Sequence, residues 1–228
     1  YNPVFAPFEN EGYMDSNKTN VVIIIMESFS SEYSGFFSGK ATTYTPFLDS
    51  LAENALAFNT CFANGKKSIE GIPAVLGGFP TLMDNPYITS VYAGNRALSI
   101  AGHLKKKGYV SCFYHGGNNG TMGFDSYAMV SGFENYYGRD EYNKEDDYDG
   151  KWGIFDEEFF QFFAQGLERE KKPFVGCFVS LSSHHPYMVP EKYTGKFKDG
   201  SLEIHPSIQY ADYSSSEERR VGNECRSR

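Results

Sequence analysis

Asn20-Val-Val-Ile-Ile-Ile-Met-Glu-Ser28 is the stretch that decides how this chain folds. Val21 to Ile25 are all β-branched, and with Met26 they run without polar alternation. Such a run predicts a strand buried on both faces inside a parallel sheet. It is far shorter than the ~20 apolar residues that a membrane-spanning helix needs. A carboxylate and a hydroxyl, Glu27 and Ser28, follow it directly.

The pattern recurs down the chain. Residues 109–114 and 173–181 are further apolar runs of strand character. They lead into His115-Gly-Gly-Asn-Asn119 and Ser182-Ser-His-His-Pro186. Helical periodicity lies between the runs. Residues 46–56 read as a helix with Thr45 as its cap and Pro46 in its first turn. Residues 68–78, 96–107 (ended by Gly108) and 155–171 read as further helices, residues 56–61 as a short strand, and residues 1–19 as a polar connecting segment. This alternation predicts an α/β fold, with a mainly parallel sheet sandwiched by helices. Ligands of such sheets gather beyond the carboxyl ends of the strands. Three strands that each deliver polar groups to one edge therefore predict a site there.

Composition narrows the function classes. The 228 residues are 40% hydrophobic, 17% aromatic and 22% charged, which predicts an ordered core rather than a disordered chain. A formal charge of −8 without any long Lys/Arg block argues against a nucleic-acid partner. Tyr1-Asn2-Pro3 does not open a signal peptide. The four cysteines (61, 112, 177 and 225) have no CxxC spacing, so a zinc ribbon is not expected; Cys112 and Cys177 read as buried free thiols. Residues 216–228 lack apolar periodicity and resemble a translated sequencing adapter with one substitution. They are read as a non-native tail, which leaves residues 20–215 as the body of the domain.

Each polar residue at the edge has a plain and a chemical reading. Glu27 is a solvated loop carboxylate or a ligand for a hard divalent cation. Ser68, in Asn64-Gly-Lys-Lys-Ser68, is a helix N-cap or a nucleophile at a helix N-terminus, where free N–H groups can hold phosphoryl oxygens. Lys66 and Lys67 could add positive charge there. Gly65-Lys-Lys-Ser68 is not a P-loop, because the first glycine of that motif is missing. His115 and His184 stand at strand ends, and one of the adjacent pair His184 and His185 is expected to face the site. His103, in a helix, and His205, in a loop, receive no role. Asp146-Asp-Tyr-Asp149 reads as a solvated acidic turn.

Taken together, Met26-Glu-Ser28, Gly65-Lys-Lys-Ser68, Trp152-Gly-x-x-Asp156 and Ser182-Ser-His-His-Pro-Tyr187 resemble the lipoteichoic acid synthase family in order and spacing across residues 15–213. That family is a branch of the alkaline phosphatase and sulfatase superfamily. The resemblance implies an extracytoplasmic catalytic domain at the cell membrane, attached behind transmembrane helices. It also implies a divalent cation (manganese first, magnesium or zinc as alternatives) and a phospho-enzyme intermediate. By position, Glu27 matches the family's first metal ligand, Ser68 its nucleophile and second ligand, and His184 the histidine that contacts phosphoglycerol. His115, Asn118 and Lys67 are expected to complete the substrate contacts. The family's remaining ligands, an Asp-His pair, have no counterpart here. The chain is thus expected to be a part of its domain, incomplete at the C-terminus and inactive alone.

One departure bears on substrate. Where the family places a Trp and an Arg after the strand at residues 109–114, this chain has Met122 and Phe124. Losing the Arg removes a phosphate-binding fork. The expected reaction is transfer of a phosphoglycerol-type or related headgroup from a membrane phospholipid to an envelope glycan through phospho-Ser68. The alternatives are a sulfatase-like hydrolase or phosphodiesterase, and a non-catalytic envelope-binding relative. Ser68-Ile-Glu-Gly-Ile lacks the Pro/Ala and Arg that formylglycine maturation requires.

Overall fold

A computed structural model of the chain describes residues 18–224, the last eight of them as backbone only. The strands are β1 (Val21–Ile25), β2 (Val110–His115), β3 (Asn135–Tyr137) and β4 (Phe174–Val179). They form one sheet in the order β1-β4-β2-β3, and every pairing is parallel. Eight helices of the described residues accompany them: α1 (Gly35–Ser38), α2 (Pro46–Ala52), α3 (Ser68–Gly77), α4 (Ile100–Lys105), α5 (Phe124–Ser131), α6 (Arg139–Tyr142), α7 (Asp156–Glu168) and α8 (His205–Glu224). None is long and apolar enough to cross a membrane.

The sandwich expected from the apolar runs is present. Ile69, Ile72 and Leu76 of α3, Ala101 of α4 and Phe124, Tyr127 and Ala128 of α5 pack on one face against Phe113, Val175, Cys177 and Val179. Phe159, Phe160, Phe163 and Leu167 of α7 cover the other face against Cys112, Tyr114 and Phe178. Phe160 stacks on Phe178 with ring centroids 3.8 Å apart. The α7 layer sits so close that a Cβ on Gly166 would stand 2.1 Å from Tyr114 Oη. Cys112 and Cys177 are buried free thiols, as expected, and burial pushes the Cys112 thiol up to about 11.

β1, expected to be buried on both faces, is only half buried. Val21, Ile23 and Ile25 face the core, but Val22 and Ile24 are 45% and 39% exposed. β1 is an edge strand among the described residues, paired only with β4, and no described helix covers its second face.

Other boundaries also differ. Residues 56–61 form no strand; Leu56 and Phe58 are 84% and 68% exposed and have no partner strand. The helix expected over 96–107 starts only at Ile100, because Ser99 Oγ accepts the Ala101 N–H and donates to Ser131 O. His205 is not in a loop: it is the first residue of α8, buried and stacked on Tyr44 at 3.9 Å. α8 continues through residue 224 and so includes the backbone of most of the stretch read as a tail. Residues 1–17 of the connecting segment, and Cys225 with the end of the tail, lie outside the described residues.

Candidate active site

Because all the strands run parallel, their carboxyl ends share one edge. Glu27 follows β1, His115 ends β2, and the turn Ser180-Leu-Ser-Ser-His184 follows β4. Buried serines lace this edge together. Ser180 Oγ accepts the Glu27 N–H at 2.8 Å, and Ser183 Oγ donates to Glu27 O at 2.5 Å. Glu27's carboxylate is partly exposed and accepts from Ser28 Oγ at 3.0 Å. Strain gathers here as well. Ser28, Met122 and Tyr187 have φ of 58°, 51° and 65°, a region costly for residues with a Cβ and often found at functional sites.

A narrow cleft at this edge is lined by Ser68, His115, Thr121, Met122, Phe124, Trp152, Leu181 and His184. Ser68, His115 and His184, nominated from three distant segments, thus converge. Glu27, Lys67 and Asn118 do not line it. A roomier depression of about 290 Å³ lies beside Phe29, Phe37, Leu48 and Phe58, but its lining includes no carboxylate, imidazole or ammonium group.

Ser68 is the first residue of α3, and the cap position belongs to Lys67. Its hydroxyl has no hydrogen-bond partner among the described residues. The capping work is done by Glu70, which the sequence reading passed over. Its carboxylate accepts from the backbone N–H groups of Lys66 (2.8 Å) and Lys67 (3.2 Å). Gly65 makes room for this at φ 120°, since a Cβ there would meet Glu70 Cβ at 2.5 Å. Ser68 Oγ is therefore left open on the cleft wall.

The two histidines differ. His115 is 2% exposed, and burial lowers its imidazole to about 4, so it is neutral at physiological pH. Its Nδ1 lies 3.4 Å from Tyr136 Oη, and its ring meets the edge of Phe124. His184 is half-buried against Trp152, with ring centroids 4.1 Å apart and the planes tilted by 49°. Its Nδ1 lies 3.0 Å from His185 O, an oxygen that also accepts from Trp152 Nε1 at 2.6 Å.

A family model for sulfatases matches residues 19–216. The chain belongs to the sulfatase family. It is 26% identical over 206 residues to lipoteichoic acid synthase 2 of Bacillus subtilis, covering 86% of this chain and 31% of that protein. It is 27% identical over 205 residues to phosphoglycerol transferase I of Salmonella choleraesuis, covering 81% and 26%. A crystal structure of an alkaline phosphatase superfamily protein from Vibrio parahaemolyticus superposes with a TM-score of 0.81 at 27% identity, over 91% of this chain and 51% of that one. The chain therefore spans under a third of these curated relatives and about half of the solved domain. The expected alkaline phosphatase/sulfatase-like fold is the observed one.

Within this sulfatase frame, the described residues contain no group of three His, Cys, Asp or Glu side chains that could hold a metal ion. Glu27 and Ser68 do not by themselves make a coordination set for a divalent cation. The Met122 and Phe124 departure divides in two. Met122 is 38% exposed on the cleft, whereas Phe124 is a core residue at 2%. A guanidinium does lie nearby, at the start of α6: Arg139 donates to Asn118 Oδ1 at 2.9 Å, pairs with Glu145 and stacks on Tyr148 at 3.6 Å. It is already committed to protein partners, and so is Asn118.

The acidic turn is more than a solvated one. Asp149 Oδ1 accepts from the N–H groups of Lys151, Trp152 and Gly153 at 2.8–3.0 Å, which shapes the turn that presents Trp152. Asp156 is buried at the start of α7 and binds the turn after β4. The Asp-Gly-x-Trp-Gly spacing was the available signal for Asp149.

Proposed function

We propose that this chain is the N-terminal part of a catalytic domain that transfers a phosphoglycerol-type or related phospho-headgroup from a membrane phospholipid to an envelope glycan. The observation that supports it most is the unpartnered Ser68 hydroxyl, at the N-terminus of α3 and on the same cleft as His115 and His184. The kinship with a lipoteichoic acid synthase and a phosphoglycerol transferase supports the substrate class.

In this reading Ser68 Oγ attacks the phosphodiester phosphorus. The Oγ–P bond forms, the bond to the diacylglycerol oxygen breaks, and that oxygen leaves with the proton Ser68 gave up. Main-chain N–H groups and the dipole of α3 receive the phosphoryl oxygens. His184 contacts the headgroup through Nε2, and neutral His115 forms an uncharged floor. A glycan hydroxyl then attacks the same phosphorus: its O–P bond forms, the Ser68 Oγ–P bond breaks, and its proton returns to Ser68 Oγ. Glu27 and Ser68 would each offer one oxygen to the divalent cation expected of the family, manganese first, with further ligands from outside the described residues. The domain would work on the extracytoplasmic side of the membrane.

The test is turnover by full-length protein in vesicles against a panel of headgroup-labelled phospholipids, with mass spectrometry of the trapped enzyme. An adduct of the transferred phospho-headgroup on Ser68, absent from Ser68→Ala, is the expected result. Since Met122 and Phe124 supply no phosphate fork, phosphatidylglycerol is expected to be used less well than another headgroup such as phosphoethanolamine. Label released only to water would replace the transferase with a phosphodiesterase. An unmodified Ser68 in an active enzyme would reject the nucleophile.

A further inference from the structure

Asp156 belongs to a motif whose job is not accounted for by the reaction above. It is 1% exposed and is the first residue of α7. Its Oδ1 accepts from Leu181 N at 2.8 Å and its Oδ2 from Ser182 N at 3.2 Å, while its own N–H donates to Ser182 Oγ at 2.9 Å. These bonds clasp the start of α7 to the turn after β4. The turn then passes the constraint on, because His184 N donates to Leu181 O at 2.9 Å.

A second hold comes from just upstream of the same helix. Trp152 donates its indole N–H to His185 O and covers the His184 ring. That carbonyl oxygen can only accept. For His184 Nδ1 to bond it at 3.0 Å, Nδ1 must carry the proton, and Nε2 is then the acceptor nitrogen. Neutral imidazole in water favours the opposite tautomer, so the surroundings must enforce this one.

We propose that Asp156 is a positioning residue for His184: its carboxylate fixes the turn that sets the imidazole as the Nδ1–H tautomer, with Nε2 toward the Ser68 cleft. A merely structural turn could be held by a neutral acceptor. Instead a carboxylate is buried with no cation beside it among the described residues, at a desolvation cost that two backbone donors offset in part. Burial accordingly pushes Asp156 up to about 7 despite those donors. The consequence for catalysis rests on the transfer reading above; the clasp does not.

The experiment uses long-range proton–nitrogen NMR of the imidazoles in this chain, at a pH where they are neutral, for the wild type, Asp156→Asn and Trp152→Phe. Asn keeps the shape but turns an NH₂ toward one of the two backbone donors. The wild type is expected to show His184 mainly as Nδ1–H, and Asp156→Asn to lose that majority while the core aromatic signals stay dispersed. Trp152→Phe should shift it in the same direction. A wild-type Nε2–H majority, or an unchanged ratio in folded Asp156→Asn, overturns the proposal. Global unfolding of Asp156→Asn also overturns it, by assigning the residue to stability alone. Should full-length protein transfer no headgroup while the tautomer responds as expected, the transfer reading fails and the clasp stands.

Discussion

Ser68→Ala and Glu70→Ala, made side by side, separate a nucleophile from a cap. Glu70 takes the N–H groups of Lys66 and Lys67, whereas Ser68 Oγ takes no backbone donor. Capping interactions are worth about 0.5–2 kcal/mol, and these are solvent-exposed, so Glu70→Ala should cost about 1 kcal/mol. Ser68→Ala removes no bond and installs a better helix former, so its cost should stay below about 0.5 kcal/mol. For a domain of this size, 1 kcal/mol moves the melting temperature by about 2–4 °C. Thermal unfolding followed by circular dichroism should therefore find Glu70→Ala lowered by roughly that amount and Ser68→Ala close to wild type. In full-length protein the order should invert: Ser68→Ala loses turnover, and Glu70→Ala keeps a measurable share. If Ser68→Ala melts as low as Glu70→Ala, the hydroxyl is a cap and the argument for an open nucleophile collapses.

Three further outcomes are expected. His115 is held neutral by burial, with its folded value near 4 and below its unfolded one, so the unfolded chain binds the extra proton first. Its contribution should be intact above the unfolded value and decline as pH falls toward 4; urea titrations of His115→Phe should show a shallower loss over that window. Gly166→Ala should destabilise the fold by about 1–3 kcal/mol, because the new methyl group collides with Tyr114, and a denaturant midpoint equal to wild type would show that the ring simply moves away. Calorimetric titration of this chain with manganese should yield no tight stoichiometric site, given one carboxylate at the β1 end; micromolar binding abolished by Glu27→Gln would show that the described residues suffice after all.

The apolar runs at β1, β2 and β4 disclosed the parallel sheet because strand character is a local property, written in consecutive side chains. The same locality disclosed the site's edge: whatever follows a strand in sequence follows it in space. Hence His115 and His184 could be nominated without coordinates, whereas Ser68, which follows no strand, is nominated from its place at a helix start and from the family resemblance. β3, with three residues, is too short for any period to emerge. α5 starts behind Gly120 and Gly123 in left-handed conformations, where a loop is the ordinary expectation. α8 is rich in serine, and only the folded backbone gives Ser214 and Ser215 the carbonyls of Tyr210 and Asp212 to bond.

Burial and partnership were decided by tertiary structure alone. Whether β1 is covered on one face or two depends on which elements lie beside it. The neutrality of His115 depends on Phe124 and Tyr136, residues that its own segment does not contain. The hold of Asp156 on Leu181 and Ser182 spans 25 and 26 residues, and that of Ser183 on Glu27 spans 156. Hydrogen bonds over such separations leave no periodic mark in a sequence, because the two partners meet only once the sheet has brought their strands to the same edge.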